Sequence, residues 1–298
     1  MRYCAKLPDS LDQALRHSRP GHVSWHGHLD LRYRLDAGCT RVHDRHDGPL
    51  RVLKSLYPEA PQVCHSVLVH PPGGIVGGDV LAIDATLADG AHALITTPGA
   101  TRFYRSLGAP ALQDVQLRAA AGARLEWLPL ETLAYSGCLA ETRMRFELAP
   151  GAEMIGWDVL ALGLPASDQG FERGSYTQSI ELPGCWLERG RIAADDARLL
   201  DSPLGWDGQR VLATLWFAAG SALRAERREA LLDAARASVA EHALRERCGV
   251  TAANERVVVL RVLAPRVEPA MQLLSAVWAR WREAAWQLPA CTPRVWRT

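Results

Sequence analysis

Val80-Leu-Ala-Ile-Asp-Ala-Thr-Leu87 settles into alternating apolar and polar side chains and runs straight into Asp89-Gly90. A period of two that stops at a turn dipeptide is the pattern of a short, half-buried strand. His28-Leu-Asp-Leu-Arg-Tyr-Arg-Leu35 and Asp114-Val-Gln-Leu-Arg118 repeat it, and short runs of this kind, punctuated by Gly, Pro and Asp, extend from about Trp25 to Leu215. Turn signals recur at Asp47-Gly48, Asp89-Gly90, Ala121-Gly122 and Pro150-Gly151, which predicts strands that are antiparallel and tightly connected. The expected fold class is mainly β, a sheet-on-sheet or coiled architecture of many short strands.

The last eighty or so residues change character. Leu223 to Arg247 is rich in Ala, Leu, Arg and Glu, with Leu231, Leu232, Ala235 and Val239 at helical spacing and Gly249 as a candidate C-cap. Glu255-Arg-Val-Val-Val-Leu-Arg-Val-Leu263 reads as a buried strand, and Pro269 opens a second helix through Met271, Leu274, Val277, Trp278 and Trp281. The expected organisation is an N-terminal extension over 1–24 and one domain over 25–298. Within it, 25–220 form a β-rich body and 221–298 a helix–strand–helix part.

At 298 residues with 48% hydrophobic content the chain can bury a substantial core. Its formal charge of +1 gives no global attraction to nucleic acid or to an anionic membrane, and its apolar runs, such as Val257 to Leu260 and Val211 to Leu215, are far too short to span a bilayer. The N-terminus lacks the apolar segment of a secretory signal, so a cytoplasmic location is expected. Seven cysteines stand far apart without a Cys-x-x-Cys pair, which argues for reduced thiols rather than a disulfide framework or a zinc ribbon. Lys6 and Lys54 are the only lysines among 34 basic residues; guanidinium suits bidentate ion pairs and interfaces, though genome base composition explains the bias equally well.

Enzymatic templates fail. Gly73-Gly-Ile-Val-Gly-Gly78 has neither the lysine of a P-loop nor the spacing of a dinucleotide fold, and a strand follows it instead of a helix. The glycines fit positive φ angles and close backbone packing beside Pro71-Pro72. Neither a Gly-x-Ser-x-Gly elbow nor a His-Glu-x-x-His pair is present.

Metal-ligating types are uneven. Eight of ten histidines precede residue 71, and His26 and His28 would share a strand face, a spacing that could hold Ni²⁺ or Zn²⁺ with His43, His46 or Cys64-His65 completing the shell. Ordinary solvated histidines would look the same. Asp79 at the end of the glycine run, Asp158 amid apolar neighbours and Glu188 beside Arg189 could hold a cation weakly. Each also has an ordinary reading, as a turn residue, a hydrogen-bonded buried carboxylate and half an ion pair. The C-terminal tryptophans Trp278, Trp281, Trp286 and Trp296, with Trp216, fit a core, or an interface with Arg280, Arg282, Arg294 and Arg297.

His70-Pro-Pro-Gly-Gly-Ile-Val-Gly-Gly-Asp79, followed by Thr96-Thr-Pro-Gly-Ala-Thr-Arg-Phe-Tyr-Arg-Ser106, resembles the signature of the UreD/UreH family of urease accessory proteins. The resemblance continues through Gly48-Pro-Leu-Arg-Val-Leu-Lys54, Trp127-Leu-Pro-Leu-Glu-Thr132, Gly156-Trp-Asp158, Leu187-Glu-Arg189 and Pro293-Arg-Val-Trp-Arg-Thr298. It implies an elongated, β-helix-like fold with a few helices toward the C-terminus. It further implies a non-catalytic scaffold that binds apo-urease and joins UreF and the GTPase UreG. Nickel would then pass from UreG through UreF and an internal conduit, with GTP hydrolysed by UreG and no cofactor held tightly. On this resemblance Asp79, Asp158 and Glu188 are the candidate conduit residues. Thr101, Arg102 and Tyr104 would line its wall or support the glycine loop. Leu130 and Leu164 depart from the family pattern, where Gln and Arg are usual. Two other readings stay open: a hydrolase or metalloenzyme built on the N-terminal histidines, and a structural clamp that opens urease while nickel travels elsewhere.

Overall fold

The computed structural model describes residues 24–297. His17 and His22, with nearly all of the 1–24 extension, lie outside the described residues. Two sheets face each other. In spatial order the first comprises β14 (Trp186–Ala193), β13 (Gly174–Leu182), β11 (Cys138–Leu148), β8 (Ala111–Ala119), β5 (Val80–Leu87), β1 (His26–Asp36) and β2 (Cys39–Asp47). The second comprises β16 (Cys248–Ala252), β17 (Val257–Ala264), β15 (Val211–Ala219), β12 (Glu153–Leu162), β9 (Arg124–Leu128), β6 (His92–Thr96), β4 (Val63–Val69) and β3 (Arg51–Leu56). The short β10 (Thr132–Ala134) pairs with β12 and with β7 (Thr101–Phe103). The fold is thus mainly β and solenoid-like, as expected.

The expectation of antiparallel neighbours is overturned in the body. From β5 to β12 the chain passes back and forth between the sheets, with β7 and β10 as extra short strands of the second, so β5, β8 and β11 stack in parallel in the first sheet. β6, β9 and β12 do so in the second. Asp89-Gly90, Ala121-Gly122 and Pro150-Gly151 are corners between sheets rather than hairpins. Their glycines take φ of +67°, +67° and +83°, a left-handed conformation that suits glycine, and successive corners are joined, Gly90 N–H to Ala121 O at 3.1 Å. Antiparallel pairs close the coil at its ends, β1 with β2, β13 with β14, and β12 with β15 and β17 beyond.

Period-two alternation then sorts the side chains. Leu81, Ile83, Ala85 and Leu87 of β5 enter the core between the sheets, while Asp84 and Thr86 point away from it. The far face of the second sheet carries α2 (Ala225–Ala240) and α3 (Val267–Trp286). There Leu231, Leu232, Leu273, Leu274, Val277 and Trp281 form a second core with Leu215, Phe217 and Leu260. A short α1 (Ala197–Asp201) precedes β15. Two C-terminal expectations need correction. The first long helix stops at Ala240, with Glu241 still right-handed, and Gly249 lies inside β16, so it caps nothing. The part between the helices is a β16–β17 hairpin rather than a single strand.

The C-terminal helix is also held by charge. Arg282, fully buried, donates to Glu59 Oε2 at 2.6 Å and stands 3.5 Å from Glu126. Glu126 accepts from Trp278 Nε1 at 2.6 Å and pairs with His92 at 2.7 Å, and Glu59 pairs with His65 at 2.7 Å. The C-terminal tryptophans are mostly core: Trp278, Trp281 and Trp286 are buried, and Trp296 packs on Trp157 and Trp278 while donating to Thr96 Oγ1.

Candidate functional site

Polar side chains form a line through the largely apolar interior between the sheets; a separate buried pair, in which Tyr33 Oη donates to Ser66 Oγ at 2.8 Å, links β1 and β4. In the first sheet, Gln113, Thr142 and Gln178 occupy a single rung of β8, β11 and β13. Each lies between core residues on its own strand: Ala111 and Val115, Ala140 and Met144, Tyr176 and Ile180. Their side chains therefore point inward. In the second sheet, Asp158, Thr214 and Arg261 share one rung of β12, β15 and β17. They alternate with core residues in the same way, Asp158 standing before Leu160, Thr214 before Trp216 and Arg261 after Val259.

The two rungs meet. Gln178 donates its amide to Asp158, and Glu188, between Trp186 and Gly190 on β14, accepts a two-pronged guanidinium from Arg261, Nε to Oε2 at 2.9 Å and Nη2 to the same oxygen. Thr214 Oγ1 lies 3.4 Å from Glu188 Oε1, and Tyr176 donates to Thr142 at 2.7 Å. A polar seam thus crosses the core from Gln113 to Arg261, along the axis on which strands stack at about 4.8 Å each.

Asp158 is the unusual member. Its side chain is buried among apolar strands, and that burial pushes the carboxyl up to about 7; the charge of Glu188 adds to the rise and the Gln178 hydrogen bond opposes it. Burial also raises the Tyr176 hydroxyl far above its ordinary range. A carboxyl near 7 is divided between its protonated and ionised forms at neutral pH, and Glu188 lies beside the permanent charge of Arg261. Two carboxylates, amide and hydroxyl oxygens make a weak, hard-to-borderline cation set rather than a tight cage. Among the described residues no three His, Cys, Asp or Glu side chains come together as a metal cage.

At its Gln113 end the seam reaches a cavity of about 290 Å³. Thr101 and Arg102 of β7 line it, with His70, Gly73, Gly74, Thr97 and Trp127. Arg102 donates to Gly73 O at 3.4 Å. Burial holds the His70 imidazole below its ordinary value, against the pull of the Asp79 charge. Tyr104 packs against the glycine run: a Cβ on Gly74 would stand 2.0 Å from its ring, which meets that of Tyr135 edge-on with centroids 4.9 Å apart.

The sequence candidates separate into three places. Asp158 and Glu188 converge in the seam. Asp79 ends the glycine run, where its two oxygens accept Trp25 N–H at 2.9 Å and Val76 N–H at 3.0 Å, which fixes the loop to the start of β1. His26 and His28 share the outer face of the first sheet, exposed, with His28 paired to Asp84 at 2.8 Å and its imidazole raised by that hydrogen bond. Sequence reasoning missed Gln113, Thr142, Gln178, Thr214 and Arg261. The signal was present as a polar residue on the inward phase of an otherwise regular alternation, as in Ala140-x-Thr142-x-Met144 and Tyr176-x-Gln178-x-Ile180. The partner of Glu188 is also not its neighbour Arg189, which is exposed, but Arg261 on a distant strand.

Among the described residues no helix is long and apolar enough to cross a membrane. A family profile described as UreD urease accessory protein matches residues 26–297. The urease accessory protein UreD of Leptothrix cholodnii is 63% identical over 278 residues, covering 93% of this chain and all of the relative. That of Variovorax paradoxus is 61% identical over 276 residues, with 93% and 100% covered. That of Paracidovorax citrulli is 61% identical over 274 residues, with 92% and 99% covered. A match across nearly the whole of each chain, on a solenoid of this form, leaves one conclusion: the chain belongs to the UreD family of urease accessory proteins.

Proposed function

We propose that this protein is a urease maturation factor: a non-catalytic scaffold that binds apo-urease and, with UreF and the GTPase UreG, supports GTP-dependent nickel insertion through its interior. The observation that carries the reading is the polar seam through an apolar core, with Asp158 and Glu188 on it. Nickel is cargo here, not a resident cofactor. A conduit must lower the cost of taking a dication out of water without trapping it, and two carboxylates backed by neutral oxygens meet both demands. Asp158 gives up its proton when a cation arrives and takes it back when the cation leaves. The cavity behind the glycine loop serves as one mouth, its wall built by Thr101 and Arg102 and its shape kept by Tyr104 and Asp79. The protein acts in the cytoplasm, without nucleic acid or membrane as partner.

Reconstitution tests this. Apo-urease, UreF, UreG, nickel, bicarbonate and GTP are combined with and without the tagged chain, and urease activity and co-purification are followed. Activation and complex formation that require the chain support the reading. Full activation without it, together with no complex, refutes it.

A further inference from the structure

Glu188 is not free to receive a cation. Both its oxygens face Arg261, and the pair joins the sheets at the end of the seam opposite the cavity. The two partners are unequally exposed: the Arg261 side chain retains 41% of its accessible surface and Glu188 only 19%. The guanidinium can thus swing outward to solvent while the carboxylate stays in place. Arginine does not lose its charge at any physiological pH, so this counter-ion cannot be removed by deprotonation. It must be displaced.

We propose that Arg261 is a charge gate on the seam: it neutralises Glu188 while no cargo is present, and an arriving divalent cation displaces it outward and takes its place. This rests on the reading of the seam as a nickel path and adds to it a residue that sets when the path is open. The exchange keeps the buried charge balanced, since an unpaired Glu188 beside Asp158 would be costly in the empty state. It also keeps affinity low, because cargo competes with an internal cation tethered to the same site. Thr214, within 3.4 Å of Glu188, is positioned to hold the carboxylate in place as the guanidinium leaves.

The test is Ni²⁺ binding by the full chain in equilibrium dialysis, with Arg261→Gln compared to wild type. An opposite charge at this distance is typically worth ten- to a thousand-fold in an ionic equilibrium, so Arg261→Gln should bind Ni²⁺ roughly tenfold more tightly or better. Adding Glu188→Gln to it should abolish the gain. Arg261→Lys, which keeps the charge but not the fork, should gain less in the same direction and carries the test if the glutamine variant does not fold. Unchanged binding in whichever variant folds overturns the gate. Delivery by Asp158→Asn separates the two claims. If that variant delivers nickel normally, the seam is not the path and the gate falls with it. If delivery stops but Arg261→Gln binds no more tightly, the path stands and the gate alone is refuted.

Discussion

Asp158→Asn should stabilise the protein at alkaline pH, although it removes a residue at the heart of the proposed path. In the unfolded chain this carboxyl titrates at its ordinary 3.8, whereas in the fold burial holds it at about 7. Below 3.8 both states are protonated and the group contributes nothing. Between the two values the unfolded chain ionises and the native one does not, so stability falls as pH rises and levels off above about 7. At 1.36 kcal/mol per pH unit the full interval costs about 4 kcal/mol, and the part between pH 5 and 7 about 3 kcal/mol. Asparagine cannot ionise, yet its carbonyl still accepts from Gln178. The gap between variant and wild type should therefore widen by about 3 kcal/mol from pH 5 to pH 8, a relative rise of roughly 6 °C in melting temperature for a protein of this size. Thermal unfolding of both proteins across this range measures it, and titrating groups that do not interact with Asp158 cancel in the difference. A gap that stays constant with pH, or one that moves in favour of wild type, would refute the buried, proton-holding Asp158.

Other consequences are open to direct measurement. Nickel must displace the Asp158 proton, so delivery through the seam should weaken by up to tenfold per pH unit below about 7, read as urease activation rate against pH with UreG GTPase monitored separately. Arg282→Met should cost about 3–5 kcal/mol in urea denaturation, because it leaves Glu59 and Glu126 without their buried cation. Gly156→Ala should cost about 1–3 kcal/mol, since the added methyl would sit 2.4 Å from the Trp216 indole; a neutral result would contradict the close approach of β12 and Trp216.

The strands were legible because the hydrophobic pattern is local: β5 coincides with the alternating run Val80 to Leu87, and β17 overlaps the apolar run read from Glu255 to Leu263. Their partners were not. A dipeptide such as Asp89-Gly90 reports that the backbone needs a positive φ, and that requirement is the same for a hairpin and for a solenoid corner. Which one forms depends on whether the next strand fits beside its predecessor or across the core from it, and alternation alone does not say. The helix C-terminus was misread for a related reason. Gly249 follows the helical run, yet the chain leaves the helix earlier and spends it in an edge strand. In the seam, Asp158 and Glu188 stood out as family motifs, but their convergence depends on register between strands far apart in sequence. The Glu59–Arg282 pair spans 223 positions and leaves no local trace at all.

The central claim is that cargo crosses the core along Asp158 and Glu188. Nickel content of urease matured with Asp158→Asn and Glu188→Gln chains, measured beside recovery of the intact assembly by co-purification, tests it most directly. The account predicts assemblies recovered as with wild type and nickel in urease reduced at least tenfold. Urease fully loaded with nickel by well-assembled variant complexes would contradict it, and would leave the protein a clamp around a path that lies elsewhere.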